Sequence, residues 1–231
     1  MKKQISKKAF TLVELLIVVG IIGVLAGLLF PVLGQISGTG AKVKSLNSAK
    51  QIASAWMNFT KTGQKVQRVT ATDIWGWAEV LAKRADLNTA QLWILDNDPK
   101  VQDKLSESNV AMPVVVANKV GDNNWTSNAE FKAFPLSWAV ANSTDPNAGA
   151  SVPLLWTRGL RPNGNWDDEW GVFRKAGGHI AFADGRVEWF SSLKDDNTQQ
   201  GLLTVFDGTV RTFNIGQAIR GGNQSILSSE E

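Results

Sequence analysis

The chain has 231 residues, 43% of them hydrophobic and 19% charged, enough for one membrane helix and one compact domain with its own core but little more. The net charge is +3, yet Lys2, Lys3, Lys7 and Lys8 all precede the first apolar run; without them the balance falls by four to −1, which leaves no basic surplus to suggest a nucleic-acid partner. With no cysteine, a disulfide framework, a thiolate nucleophile and a sulfur-rich metal site are excluded.

Residues 15–33 carry no charge. A helix over 10–33 would span about 36 Å at about 1.5 Å per residue, enough for a hydrocarbon core of about 30 Å. The lysines in front of it place the N terminus in the cytoplasm and everything after residue 33 outside. A secretory signal peptide has a shorter apolar stretch, about 7–15 residues, that ends in a small-x-small cleavage site, and no clean A-x-A follows this run. Glu14 sits inside the apolar stretch, where an ionised carboxylate is costly and calls for a partner or a function. A cut between Ala9 and Phe10 would supply one: the new amine of Phe10 lies near the depth of Glu14, so the amine of one subunit and the carboxylate of its neighbour compensate each other only in the correct stagger. An uncleaved anchor with Glu14 at the interface is the alternative.

The stretch KKAFTLVE followed by a long apolar helix resembles the type III leader of type IV prepilins and type II secretion pseudopilins. The resemblance implies that residues 1–9 are a leader peptide, that prepilin peptidase cuts between Ala9 and Phe10, that Phe10 becomes the N-methylated first residue, and that Glu14 makes the assembly salt bridge. The family usually has Gly where this chain has Ala9. Within the span, Pro31 removes a backbone donor and is expected to kink or locally melt the helix, with Gly20, Gly23 and Gly27 lowering its stiffness upstream. In filaments of the resembled family the segment before this proline loosens; membrane helices also simply tolerate Gly and Pro.

Over residues 34–61 the pattern turns amphipathic. Ala41, Leu46, Ala49, Ile52, Ala53, Trp56 and Phe59 recur near a helical period, while Lys42, Lys44, Lys50 and Gln51 fall elsewhere. The expected fold is therefore α+β and pilin-like: a long N-terminal transmembrane helix whose amphipathic half packs on an antiparallel sheet.

Residues 62–219 form the expected periplasmic globular domain. Residues 62–72 read as loop, and Asp73 is placed to cap a helix running to about Arg84. A short helix is expected over 89–95, a turn at DNDP (96–99), and strands over 110–120, 134–141 and 152–156, the first interrupted by Pro113. Residues 159–171 read as a long exposed loop whose Asp167, Asp168 and Glu169 belong to a solvated turn: consecutive side chains point apart, and only His179 is near in sequence. The tryptophans read as core and loop-packing residues.

In GHIAFADGRVEWF, Asp184 and Gly185 predict a two-residue type I′ hairpin turn that pairs Phe182 with Val187 and Ile180 with Trp189. A near-repeat, DGxVxxF, follows at Asp207 and Gly208 and suggests a meander. The first hairpin resembles the H-x9-DG processing-associated motif of prepilin-like proteins, with Asp184 and Gly185 as its DG. Arg174 stands where that motif has His, and His179, the chain's only histidine, falls within the gap. Residues 220–231, rich in Gly, Ser and Glu, are expected to be a flexible tail.

These readings point to a structural subunit of a type II secretion pseudopilus, with no catalytic site, cofactor or metal. Its partners would be copies of itself and other pseudopilins in a filament, the prepilin peptidase, an inner-membrane assembly platform and the membrane. A true type IV pilin or minor pilin, or a membrane-anchored periplasmic binding module that uses its tryptophans, are the alternatives.

Overall fold

A computed structural model of the chain describes residues 12–61 (backbone only for 26–37), 67–122, 124–194, 201–205 and 208–230. The chain divides into two compact units, Met1–Val43 and Lys44–Glu231.

Helix α1, Leu12–Lys61, begins in the first unit. Apart from Glu14, Gly20 and Gly23, residues 12–26 are Leu, Ile, Val and Ala, and a helix is how such a run satisfies its backbone polar groups in an apolar setting. Helical backbone continues through Pro31 without a break, and the expected segments 10–33 and 34–61 meet inside this one helix. Every residue from 12 to 25 is exposed. Among the described residues no helix is long and apolar enough to cross a membrane; residues 10 and 11 and the side chains of 26–33, which complete the expected span, lie outside them.

In the second unit, residues 44–61 of α1 bury Ser45, Ser48, Ala49, Ile52, Ala53, Trp56 and Thr60, a stripe at three- and four-residue spacing. Ala49, Ile52, Ala53 and Trp56 match the expected stripe, while Leu46 and Phe59 sit at its half-buried margin and small hydroxyl residues take the centre. The Thr60 hydroxyl is satisfied by donating to the Trp56 carbonyl at 2.8 Å. Helix α2, Ile74–Ala85, starts as expected at Asp73, whose Oδ1 accepts from the Gly76 amide at 2.6 Å.

From here local expectation and structure diverge. The helix expected over 89–95 is a 3₁₀ turn, Ala90–Leu92. The DNDP stretch ends not in a simple turn but in a helix, α3, Pro99–Leu105, with Asp98 as N-cap and Pro99 at the first position, where a missing amide costs nothing. The strand expected over 110–120 is reduced to β1, Ala117–Lys119, paired with β2, Trp125–Ser127. A short helix, α4, Ala129–Lys132, follows.

The main sheet is antiparallel with order β6-β5-β4-β3-β9: β3 is Trp138–Ala141, β4 Pro153–Thr157, β5 Gly178–Phe182, β6 Val187–Phe190 and β9 Ile226–Leu227. Strands β7, Leu202–Leu203, and β8, Arg211–Thr212, pair separately as a hairpin, and α5, Ile215–Ala218, follows them. Phe206 and Asp207 of the second expected turn lie outside the described residues.

All residues of β3, β4 and β5 are buried, so both faces of the sheet are covered. Trp138, Val140, Ala181 and Ala183 face the core that contains Ile52, Trp56, Trp77 and Trp93. Ala139, Ala141, Ile180 and Phe182 face a second core with Trp166, Leu193, Ile215 and Ile219. The second layer was not anticipated, and it corrects two expectations. Residues 159–171 are not wholly exposed, because Trp166 is buried in that layer. The expected tail is not free over its described residues 220–230: β9 pairs with β3, the Ser225 carbonyl accepts from the Asn142 amide, and Ser229 bridges to Leu136.

Candidate functional site

The first candidate is the start of α1. Ala9 and Phe10 lie outside the described residues. Glu14 is placed in the first helical turn, exposed, with Leu12, Val13, Leu15 and Leu16 around it at 85, 66, 55 and 75% exposure. A carboxylate in the first turn is favoured by the helix dipole. The apolar run from 12 to 25 is exposed at every residue, and large contiguous apolar surfaces mark lipid or protein contacts.

The second candidate is the hairpin of β5 and β6, which the sequence located correctly but registered wrongly. Its pairs are Ala181 with Val187, Ile180 with Glu188, His179 with Trp189 and Gly178 with Phe190. The Gly185 amide donates to the Phe182 carbonyl, and the Phe182 amide donates to the Arg186 carbonyl, both at 2.9 Å. Gly185 alone of Ala183, Asp184 and Gly185 has positive φ, at 88°. A type I′ turn needs positive φ at both central residues, so this is the three-residue loop, a type I turn closed by a left-handed glycine. The extra loop residue slips the register by one and exchanges faces: Val187 and Trp189 share a face with Ala181 and His179, not with Phe182 and Ile180. Asp184 caps the turn by accepting from the Arg186 amide at 3.0 Å.

This hairpin lies along α1. His179, 5% exposed, has its Nδ1 3.0 Å from the Ser45 hydroxyl, and Phe173 and Trp189 meet its ring edge to face at centroid distances of 6.3 and 5.0 Å. At the other end a Cβ on Gly185 would stand 2.6 Å from Cε of Met57. From Ser45 to Met57 the helix rises about 18 Å, and from His179 to Gly185 a strand rises about 20 Å, so two matched contacts hold strand and helix in one register. His179 is thus a packing residue at the helix and sheet junction. Arg174, at the position of the motif's His, is exposed on a 3₁₀ turn with φ of 52°.

The acidic triplet is spoken for. Asp167 Oδ1 accepts from the amides of Glu169 at 2.9 Å and Trp170 at 3.0 Å, and Oδ2 from Arg161 Nε at 3.1 Å. The Trp170 amide above all, with the Glu169 amide and Arg161, outweighs partial burial and holds this carboxyl below its ordinary range. Asp168 pairs with Lys175 at 3.2 Å and Glu169 with Lys100 at 2.9 Å. Among the described residues no group of three or more His, Asp or Glu gathers to hold a metal ion.

The most demanding polar site was invisible in the sequence. Asp98 and Arg158, both fully buried, meet at 2.6 Å between Oδ1 and Nη2. Ser137 donates its hydroxyl to Asp98 Oδ2 at 2.7 Å and accepts from the Leu95 amide at 2.9 Å. Arg158 also donates to the carbonyls of Leu136 at 2.6 Å and Trp170 at 3.1 Å. Burial pushes the Asp98 carboxyl above its ordinary value, against the pull of Arg158 and the hydroxyl of Ser137. Asp98 comes from the DNDP stretch and Arg158 lies 60 residues on, so no local pattern joins them. The cluster ties the start of α3 to the segments next to β3 and β4 and, through Ser229, to the C-terminal segment.

Of the ten tryptophans six are buried and four half-buried, so none of them forms an exposed stacking platform. Compared with known proteins, residues 5–30 match the family model described as Prokaryotic N-terminal methylation motif. No curated protein and no solved structure matches the chain. The chain carries this motif, consistent with the type IV pilin-like proteins and pseudopilins, over the same residues that hold Ala9, Phe10 and Glu14.

Proposed function

We propose that this type IV pilin-like chain is a structural subunit of a type II secretion pseudopilus. Prepilin peptidase removes residues 1–9, Phe10 is N-methylated, and α1 holds the subunit in the inner membrane with residues 62–219 in the periplasm. An assembly platform then draws it into a filament with copies of itself and other pseudopilins, and the growing filament supports protein export. The chain has no catalytic role of its own in this reading. The observation that carries it is the methylation motif over residues 5–30 with Glu14 set inside an exposed apolar helix. A carboxylate there is costly unless a neighbour's Phe10 amine compensates it, which turns the cost into a stagger that assembly must respect.

Intact mass and N-terminal sequence of the protein extracted from membranes of its native host test the reading. A chain that begins at a methylated Phe10 supports it. A chain that retains residues 1–9, or one cut beyond residue 33, overturns it. Copurification with secretion or with pilus components then separates a pseudopilin from a true pilin.

A further inference from the structure

The sequence contains four Asn-x-Ser/Thr triplets, at Asn58, Asn124, Asn142 and Asn223. Transfer of a glycan to such a triplet needs an accessible carboxamide and an accessible hydroxyl two residues on, presented in backbone that can enter an enzyme. Three of the four fail. Asn58 lies within α1, and its partner hydroxyl on Thr60 is buried and given to the Trp56 carbonyl. Asn142 uses its carboxamide twice on Ala71, at 3.1 and 2.8 Å, and Thr144 is buried. Asn223 is exposed, but its triplet is held in the 3₁₀ turn Gly222–Ser225, where Asn223 packs closely on Gly216, Ser225 is half-buried and the Ser225 carbonyl accepts from the Asn142 amide, so this backbone is not free to extend into an enzyme.

Asn124-Trp125-Thr126 meets every requirement. Asn124 and Thr126 are both exposed, and Asn124 directly precedes β2, its carbonyl accepting from the Val120 amide at 2.9 Å. The two strands pair over three residues each, apart from the main sheet. A two-stranded ribbon of that length is marginal, so its end frays at little cost and can present Asn124-Trp125-Thr126 as extended chain. Asp122, also exposed, adds a carboxylate two residues before the acceptor that a basic group of a transferase can pair with.

We infer that Asn124 is an acceptor for N-linked glycosylation, modified outside the cytoplasm by a membrane oligosaccharyltransferase that uses a polyprenyl-diphosphate-linked sugar. The carboxamide Nδ2 bonds to the anomeric carbon of the sugar as the bond from that carbon to the diphosphate oxygen breaks. Polyprenyl diphosphate leaves, and the amide proton passes to a base on the transferase. The inference rests on the exported placement of residues 62–219 in the reading above, and a glycan on this hairpin would cover a ribbon edge that otherwise invites strand pairing.

The test is intact mass and glycopeptide mapping of the full-length protein from native-host membranes, alongside Asn124→Gln, Thr126→Val and Thr126→Ser. The expected result is a sugar mass on the peptide holding Asn124 and on none of the other three triplets, lost in Asn124→Gln and Thr126→Val and kept in Thr126→Ser. An unmodified Asn124, or a glycan that survives Asn124→Gln, overturns the inference whatever the state of the leader. A glycan on Asn124 in a chain that still holds residues 1–9 upholds it and overturns the filament reading instead, so the two fail separately.

Discussion

Among the ion pairs of the described residues, Asp98 and Arg158 stand apart because both side chains are fully buried and each would be an uncompensated charge without the other. Breaking such a pair costs about 3–5 kcal/mol, much of it the penalty on the survivor. Asp98→Asn keeps an oxygen to cap α3 but removes the charge, so it should destabilise by an amount near the lower end of that range. Asp98→Asn with Arg158→Met should be less destabilised than the sum of the single variants, read as thermal midpoints of the detergent-extracted protein. Asp167 acts differently. Its carboxyl is held low in the folded chain, so it contributes stability above the unfolded carboxylate range and loses it as pH falls through the lowered value. The acid limb of the stability profile should therefore be flatter in Asp167→Asn than in the parent, measured by unfolding between neutral and acidic pH. An equally steep limb in the variant would remove Asp167 from the account.

Among the elements, the β5 and β6 hairpin shows best what a sequence discloses and what it withholds. Alternating apolar residues around Asp184 and Gly185 were enough to find the turn, but Asp-Gly fits both a two-residue and a three-residue loop, and only φ at Ala183 and Asp184 decides between them. That one residue moved every side chain of β6 to the other face. The helix cap at Asp73 was legible because its signal is local, a capping residue before an apolar period. The second core, β9 and the Asp98 and Arg158 junction were not, since each depends on pairing across 60 or more residues and on a polar tail whose composition resembles disorder. The methylation motif over residues 5–30 was legible for the same reason as that cap, through the compact stretch KKAFTLVE. Gly185 holds φ of 88° directly against Met57, so Gly185→Val adds backbone strain to a clash and should cost about 1–3 kcal/mol. Adding Met57→Ala should return the steric part and leave the strain, which thermal unfolding of the single and double variants would separate; no recovery at all would mean that the turn does not press on α1.

At the scale of the molecule, one helix meets two environments. Over 12–25 every described residue is exposed and all but Glu14 and the glycines are large or small apolar groups, while over 44–61 the same helix buries a narrow stripe against a sheet. A stripe is what a folded domain needs, whereas an all-round apolar surface fits lipid or the all-round contacts of a helical filament. Insertion and assembly then make opposite demands on Glu14. Insertion alone is favoured by any apolar replacement, since a carboxylate at depth is costly; assembly in a fixed stagger is favoured only by the carboxylate, which compensates a neighbour's Phe10 amine. Glu14→Ala should therefore leave membrane extraction and removal of residues 1–9 unchanged, and lower incorporation into filaments at least about tenfold, which corresponds to losing about 1.4 kcal/mol per contact. Quantifying tagged variant and parent subunits in sheared filaments from a strain that makes both reads this directly. Equal incorporation would show that the carboxylate does not set the stagger. Loss of processing as well would place Glu14 with the peptidase instead of with the neighbouring subunit.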